Sequence, residues 1–104
     1  MNGKRNGKGK EYNYYSGNLI FEGEYLNGEK NGKGKEYYKN GKLEFKGEFL
    51  KGKRNGKGKK FYMNNKIAFE GEYLNDLKWN GKEKAYDNKG KLLVEKEYCK
   101  GIKK

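Results

Sequence analysis

The chain has 104 residues, with 26 Lys and Arg against 14 Asp and Glu, for a formal net charge of +12. Only 32% of residues are hydrophobic, yet 15% are aromatic and 17 are glycine, while proline and histidine are absent. That length admits one domain, no apolar run is long enough for a transmembrane helix or a secretory leader, and the aromatic content argues against disorder.

The residue types excluded by composition remove most enzyme mechanisms. Without histidine there is no imidazole base and no imidazole metal ligand. Threonine and glutamine do not occur, Ser16 is the single serine and Cys99 the single cysteine. An intrachain disulfide and a multi-cysteine metal site are thereby ruled out. The expectation is a chain that is not an enzyme and uses no metal or cofactor, with Cys99 an inert thiol suited to a reducing, cytoplasmic setting. The positive charge foretells attraction to anionic partners without specifying a fold.

In chain order, two strings alternate. Asn-Gly-Lys-Gly-Lys occurs at Asn6–Lys10, Asn31–Lys35 and Asn55–Lys59, with a degenerate copy at Asn80–Lys84. Between these stand Phe21–Leu26, Phe45–Leu50, Phe69–Leu74 and the divergent Val94–Cys99. The copies step by 24 or 25 residues, the mark of a repeat architecture. Each reads with period two: Leu19, Phe21, Gly23 and Tyr25 point one way, Ile20, Glu22, Glu24 and Leu26 the other. That alternation is a half-buried strand. Eight strands are predicted, at about 8–15, 19–26, 33–38, 43–50, 57–62, 67–74, 82–87 and 92–99. Ser16-Gly17, Asn40-Gly41, Asn64-Asn65 and Lys89-Gly90 read as tight hairpin turns, and Asn27–Gly32 and Lys51–Gly56 as longer loops on the opposite edge.

The tight turns imply a register. Asn40-Gly41 sets Tyr38 opposite Leu43, Glu36 opposite Phe45 and Gly34 opposite Gly47. The next turn sets Lys59 opposite Glu70 and Gly58 opposite Gly71. In the last copy both glycines are replaced, and the same register sets Glu83 opposite Lys96, an attractive cross-strand pair. Across the longer loops Tyr25 would face Gly34 and Phe49 would face Gly58, each ring covering a glycine, with Glu24 opposite Lys35 and Glu48 opposite Lys59. The extra residue in the first turn predicts a bulge near Asn13. One face is thus aromatic and glycine, the other a Glu–Lys ladder.

Phe21-Glu-Gly-Glu-Tyr-Leu-Asn-Gly-Glu-Lys-Asn-Gly-Lys-Gly, and again Phe45–Gly58, resemble the membrane occupation and recognition nexus (MORN) repeat. The family's pattern is aromatic-x-Gly-x-aromatic, Asn-Gly, a short basic loop, then Gly-x-Gly. The resemblance covers almost the whole chain. The second aromatic position after Gly-x-Gly is taken by Glu11, Glu36 and Lys60, and the basic loop has Asn where many relatives carry His, so the chain also resembles the bacterial MORN-variant type. The resemblance implies an all-β, elongated, single-layer antiparallel meander built from hairpin repeats. It also implies scaffold or membrane-junction roles, without catalytic residues in the repeat. The array would run over residues 1–104, with a partial copy at 1–18, repeats at about 19–42, 43–66 and 67–91, and a partial copy at 92–104.

Three surfaces compete as sites. The aromatic face (Phe21, Tyr25, Tyr38, Phe45, Phe49, Tyr62, Phe69, Tyr73 and Tyr98) would lie uncovered in a single-layer sheet and offer a groove to a helix or peptide. Trp79, in an enlarged loop Asn75–Gly81, would fold over the end of that face or anchor a partner. The basic loops (Lys4, Arg5, Lys51, Lys53, Arg54, Lys100, Lys103 and Lys104) would attract acidic lipid headgroups or simply guard the edges against aggregation. Nucleic acid is disfavoured: stacking rings and basic residues fall on different faces, and Arg5 and Arg54 are the only arginines. A protein partner along the aromatic face is therefore the leading expectation, with acidic membranes as the alternative and a location peripheral to a membrane or the cytoskeleton. The chain begins and ends inside equivalent loops, which leaves open edge strands for a homodimer or marks a piece of a longer array. The strands are nearly neutral and the connections hold the charge, so the sheet has two positive rims.

Overall fold

In a computed structural model, the structure describes residues 5–104. Its nine strands are β1 (Gly7–Tyr12), β2 (Leu19–Leu26), β3 (Glu29–Tyr37), β4 (Leu43–Leu50), β5 (Lys53–Phe61), β6 (Ile67–Leu74), β7 (Leu77–Tyr86), β8 (Leu92–Cys99) and β9 (Ile102–Lys103). They form one open antiparallel sheet in sequence order, with no helix among the described residues. The sheet measures 52 × 32 × 16 Å with a radius of gyration of 15.2 Å. A compact chain of this length would have a radius of about 13 Å.

The two kinds of connection exchange the roles that dipeptide signals assign them. The stretches read as longer loops hold two-residue turns. Asn27-Gly28, Lys51-Gly52, Asn75-Asp76 and Lys100-Gly101 all have positive φ at both positions, the geometry that follows the twist of a hairpin. Conversely, Asn40-Gly41 is the end of a three-residue loop. Tyr38 N–H donates to the Lys42 carbonyl, Gly41 N–H donates to the Tyr38 carbonyl, and Gly41 takes φ +86°. The same pattern recurs at Tyr62–Lys66 and Asp87–Lys91. Tyr37 therefore faces Leu43, not Tyr38, while Glu36↔Phe45 and Gly34↔Gly47 hold as expected. The extra residue of the first turn is absorbed in the loop Asn13–Asn18, and the register shift between Glu11 and Tyr12 has a counterpart in every later copy.

The two-residue turns lengthen β3, β5 and β7 and move their pairing. Gly23 faces Gly34 and Tyr25 faces Lys30; Gly47 faces Gly58 and Phe49 faces Arg54. The expected Tyr25–Gly34 and Glu24–Lys35 pairings are thus displaced by two residues. An even displacement leaves every side chain on its face, so the aromatic-glycine face and the Glu–Lys face stand. The slack is taken up by a bulge at Asn31–Lys33, where the Lys33 N–H donates to the Glu24 carboxylate at 2.7 Å. Lys57 and Glu48 repeat the arrangement at 2.8 Å.

The asparagines of the Asn-Gly-Lys strings form no turn. Their side-chain carbonyls accept from the first turn residue of the next hairpin: Asn6 from Asn27 N–H, Asn55 from Asn75 N–H and Asn80 from Lys100 N–H, at 2.9–3.1 Å. A backbone bond runs beside each, such as Gly52 N–H to the Lys30 carbonyl at 2.9 Å. Each turn is thereby fastened to the preceding repeat.

The core is one layer deep. Phe21, Tyr25, Phe45, Phe49, Phe69 and Tyr73 are buried, with Phe21, Phe45 and Phe69 at 1% exposure or less. A methyl group at Gly58 would lie 2.6 Å from two atoms of the Phe45 ring, so the ring lies where a side chain would otherwise stand. The rings then meet edge to face in a zigzag, Tyr25–Phe21–Phe49–Phe45–Tyr73–Phe69–Tyr98, with centroids 5.1–5.7 Å apart. Each such contact stabilises by about 0.5–1.5 kcal/mol beyond burial.

Candidate functional site

A single-layer sheet buries this ladder because long cations close over it. Lys30, Arg54 and Lys78 are 24 residues apart and lie within β3, β5 and β7, outside the turns. Lys30 Nζ stands 4.4 Å over the Phe21 ring, the Arg54 guanidinium 4.3 Å over Phe45 and Lys78 Nζ 5.4 Å over Phe69. Arg5 covers Tyr25 in the same way at 4.6 Å. Carboxylates hold the cations in place: Arg54 Nε donates to Glu36 at 2.9 Å, and Glu83 receives Lys78 at 2.5 Å and Lys103 at 2.8 Å. The charged heads themselves lie over the ring faces, and the side chains of Lys30, Arg54 and Lys78 are only partly exposed.

The rings expected to lie uncovered are closed over: Phe21, Tyr25, Phe45, Phe49, Phe69 and Tyr73 are interior side chains. Tyr38 and Tyr62 are engaged as ties between repeats, their hydroxyls donating at 2.6 Å to the carbonyls of Phe61 and Lys84. Trp79 is in strand β7, not a loop, because Asn75-Asp76 alone makes the turn. Its ring packs on Gly101, 3.1 Å from the place of a β-carbon there, and so caps the last turn. Tyr98 is half-buried at the end of the ladder. Glu83 does face Lys96, but its carboxylate goes to Lys78 and Lys103, which hold it below the usual carboxylate range.

The basic residues divide by place. Arg5, Arg54 and Lys103 are engaged with the ladder or its carboxylates. Lys51, Lys53, Lys100 and Lys104 are exposed along the two-residue-turn edge, and Lys4 lies outside the described residues. Beside them are exposed apolar side chains, among them Leu26, Leu50, Leu74 and Ile102. Period two marked these leucines as facing away from the rings; their collection into one row needs the two-residue turns.

The opposite face forms a trough of about 1680 Å³ crossing β1 to β6. Its floor is glycine backbone, including Gly23, Gly34, Gly47 and Gly58, and its walls are the stems of the Lys–Glu ladder. One row of direct cross-strand neighbours runs Lys10, Glu22, Lys35, Lys46, Lys59, Glu70 and Lys82. The Glu22 carboxylate accepts from the Tyr37 hydroxyl at 2.5 Å, and Lys59 pairs with Glu70 at 3.4 Å. Burial and that carboxylate push the Tyr37 hydroxyl up to about 12. The sign alternation fails only where Lys46 has a lysine on either side.

An open sheet of stapled hairpins with a one-layer aromatic ladder is a repeat architecture, and sequence comparison agrees. The MORN repeat matches residues 1–13, 21–42 and 45–66, and the MORN repeat variant matches residues 79–100. The chain belongs to the MORN repeat family. Repeats of this family are a non-enzymatic scaffold type, generally associated with binding proteins or membranes. A search among curated proteins returns no significant match.

Proposed function

We propose that this chain is a non-enzymatic scaffold that binds a protein segment, and that the segment lies in the trough of the Lys–Glu face. The trough carries this reading. Its volume of about 1680 Å³ exceeds the roughly 300–1,000 Å³ of small-molecule pockets. It also runs across the strands, as a continuous peptide or helix would. The aromatic ladder supports the surface from behind, since it is closed by its own cations. Peptide-display selection on the wild-type chain and on Lys57→Trp, which places an indole in the trough, tests this. Selected peptides should bind wild type and fail on the variant at unchanged melting temperature. Peptides indifferent to Lys57→Trp but lost on Trp79→Ala or Tyr38→Ala would move the site to the ring-bearing face.

The turn edge supports a second reading, peripheral attachment to acidic membranes. There Lys51, Lys53, Lys100 and Lys104 stand beside exposed Leu50 and Ile102, and each cation near such a surface adds about 1 kcal/mol of attraction. Co-sedimentation with vesicles should then depend on acidic lipid content and fall in Lys51→Glu/Lys53→Glu. Sedimentation indifferent to both would dismiss it.

A further inference from the structure

The Lys–Glu row along the trough alternates in sign except at its centre. The residue after the first phenylalanine of the strand is Glu22 in β2 and Glu70 in β6, but Lys46 in β4. The register sets Lys35 directly opposite Lys46 on one side and Lys59 directly opposite on the other. Like charges so placed oppose folding. Lys59 has a carboxylate at 3.4 Å, whereas Lys35 and Lys46 form no ion pair among the described residues. With glutamate at 46 the row would alternate throughout. A destabilising trio of cations, at the middle of this long trough, is a feature that an anionic group would neutralise.

We propose that the Lys35–Lys46–Lys59 row is the specificity element of the trough and that it selects an acidic protein segment, with carboxylates on one face of a helix. This rests on the trough being the protein-binding surface. Neighbouring strands are about 4.8 Å apart, and helix residues three or four apart have β-carbons about 5–6 Å apart. Successive carboxylates of an acidic helix face can therefore meet successive lysines, whereas alternate residues of an extended peptide are spaced by more than 6 Å. The surroundings favour a peptide over the other anions. Glu24, Glu48 and Glu72 line the same trough and would repel an unbroken phosphate backbone.

The test uses a synthetic helical peptide with glutamates four residues apart, titrated at fixed ionic strength into wild type, Lys46→Glu and Lys89→Glu. The two variants change the net charge equally, and Lys89 is exposed in a distant loop. Lys46→Glu should weaken binding by about tenfold or more, as expected for losing a close charge pair, yet melt at a higher temperature than wild type because alternation is restored. Lys89→Glu should change affinity by less than about twofold, in keeping with a screened remote charge. Equal losses in both variants, or none in Lys46→Glu, overturn the proposal. So does an oligonucleotide or an acidic vesicle that binds more tightly than the peptide with the same dependence on Lys46. Non-acidic peptides whose binding is lost in Lys57→Trp would overturn this inference and leave the trough as the binding surface; acidic peptides indifferent to Lys57→Trp would remove both.

Discussion

At the scale of single residues, the ladder holds one unsatisfied group. The Tyr73 hydroxyl is buried without a hydrogen-bond partner, whereas the hydroxyl of Tyr25, at the equivalent position one hairpin pair away, donates to Glu11. Phe49, between them in the series, has no hydroxyl to satisfy and is equally buried. Removing a buried polar atom that has no partner relieves a desolvation cost of about 1–3 kcal/mol. Tyr73→Phe should therefore raise stability by about 1 kcal/mol, measured by urea unfolding, while Tyr25→Phe should lower it by a similar amount. The cations over the rings were hidden at this scale. Arg54 lies in a basic run that looks like an exposed loop, and only its pairing with Phe49 turns its side chain onto the Phe45 ring.

At the scale of the hairpin, glycine and ring act as one unit. Gly58 faces Gly47 and Gly71, and its missing side chain is replaced by the Phe45 ring. Gly58→Ala forces a methyl group into that ring and should cost about 3 kcal/mol, the upper part of the range for overpacking. The divergent last copy shows the converse: Val94 replaces the phenylalanine, and Glu83 and Lys96 replace the glycine pair. The two-residue turns offer an opposite prediction. Lys51 has φ +50°, a conformation that asparagine adopts more readily than lysine. Lys51→Asn should raise stability by about 0.5 kcal/mol, seen as a higher denaturant midpoint at unchanged slope. Strand alternation was legible from period two, and so was the pairing of Gly34 with Gly47 and of Gly58 with Gly71 across the three-residue loops; the pairing of Gly23 with Gly34 and of Gly47 with Gly58 across the two-residue turns was not. Turn type was not. Asn-Gly occurs in both kinds of connection, and the two-residue turns are each anchored to an asparagine some twenty residues earlier, a contact that no dipeptide contains.

For the whole molecule, alkaline pH is the sharpest probe of the ladder. Burial, joined by the carboxylate of Glu11, pushes Tyr25 up to about 12; burial pushes Tyr73 to about 12. Tyr37, on the other face, is raised to about 12 as well. Unfolded tyrosine releases its proton near 10, so between about 10 and 12 the unfolded chain binds fewer protons than the folded one. Stability is accordingly full below pH 10 and declines as pH rises toward 12. Circular dichroism should show an unfolding transition that steepens above pH 10, and the Tyr25→Phe/Tyr37→Phe/Tyr73→Phe variant should flatten it. An unchanged slope would mean that these hydroxyls ionise alike in both states.

The sequence by itself determined the repeat, the all-β meander and the two chemically distinct faces. Period two and a constant step are written in the order of residues, and a register error of two cannot exchange the faces. Tertiary structure alone decided that the rings are covered and that the Lys–Glu face stays open. The rings are covered by cations from the adjacent strand across each two-residue turn, and the trough exists only once six strands curve together. Those are relations between repeats, set by hydrogen bonds and packing across some twenty residues, and no stretch of one repeat contains them.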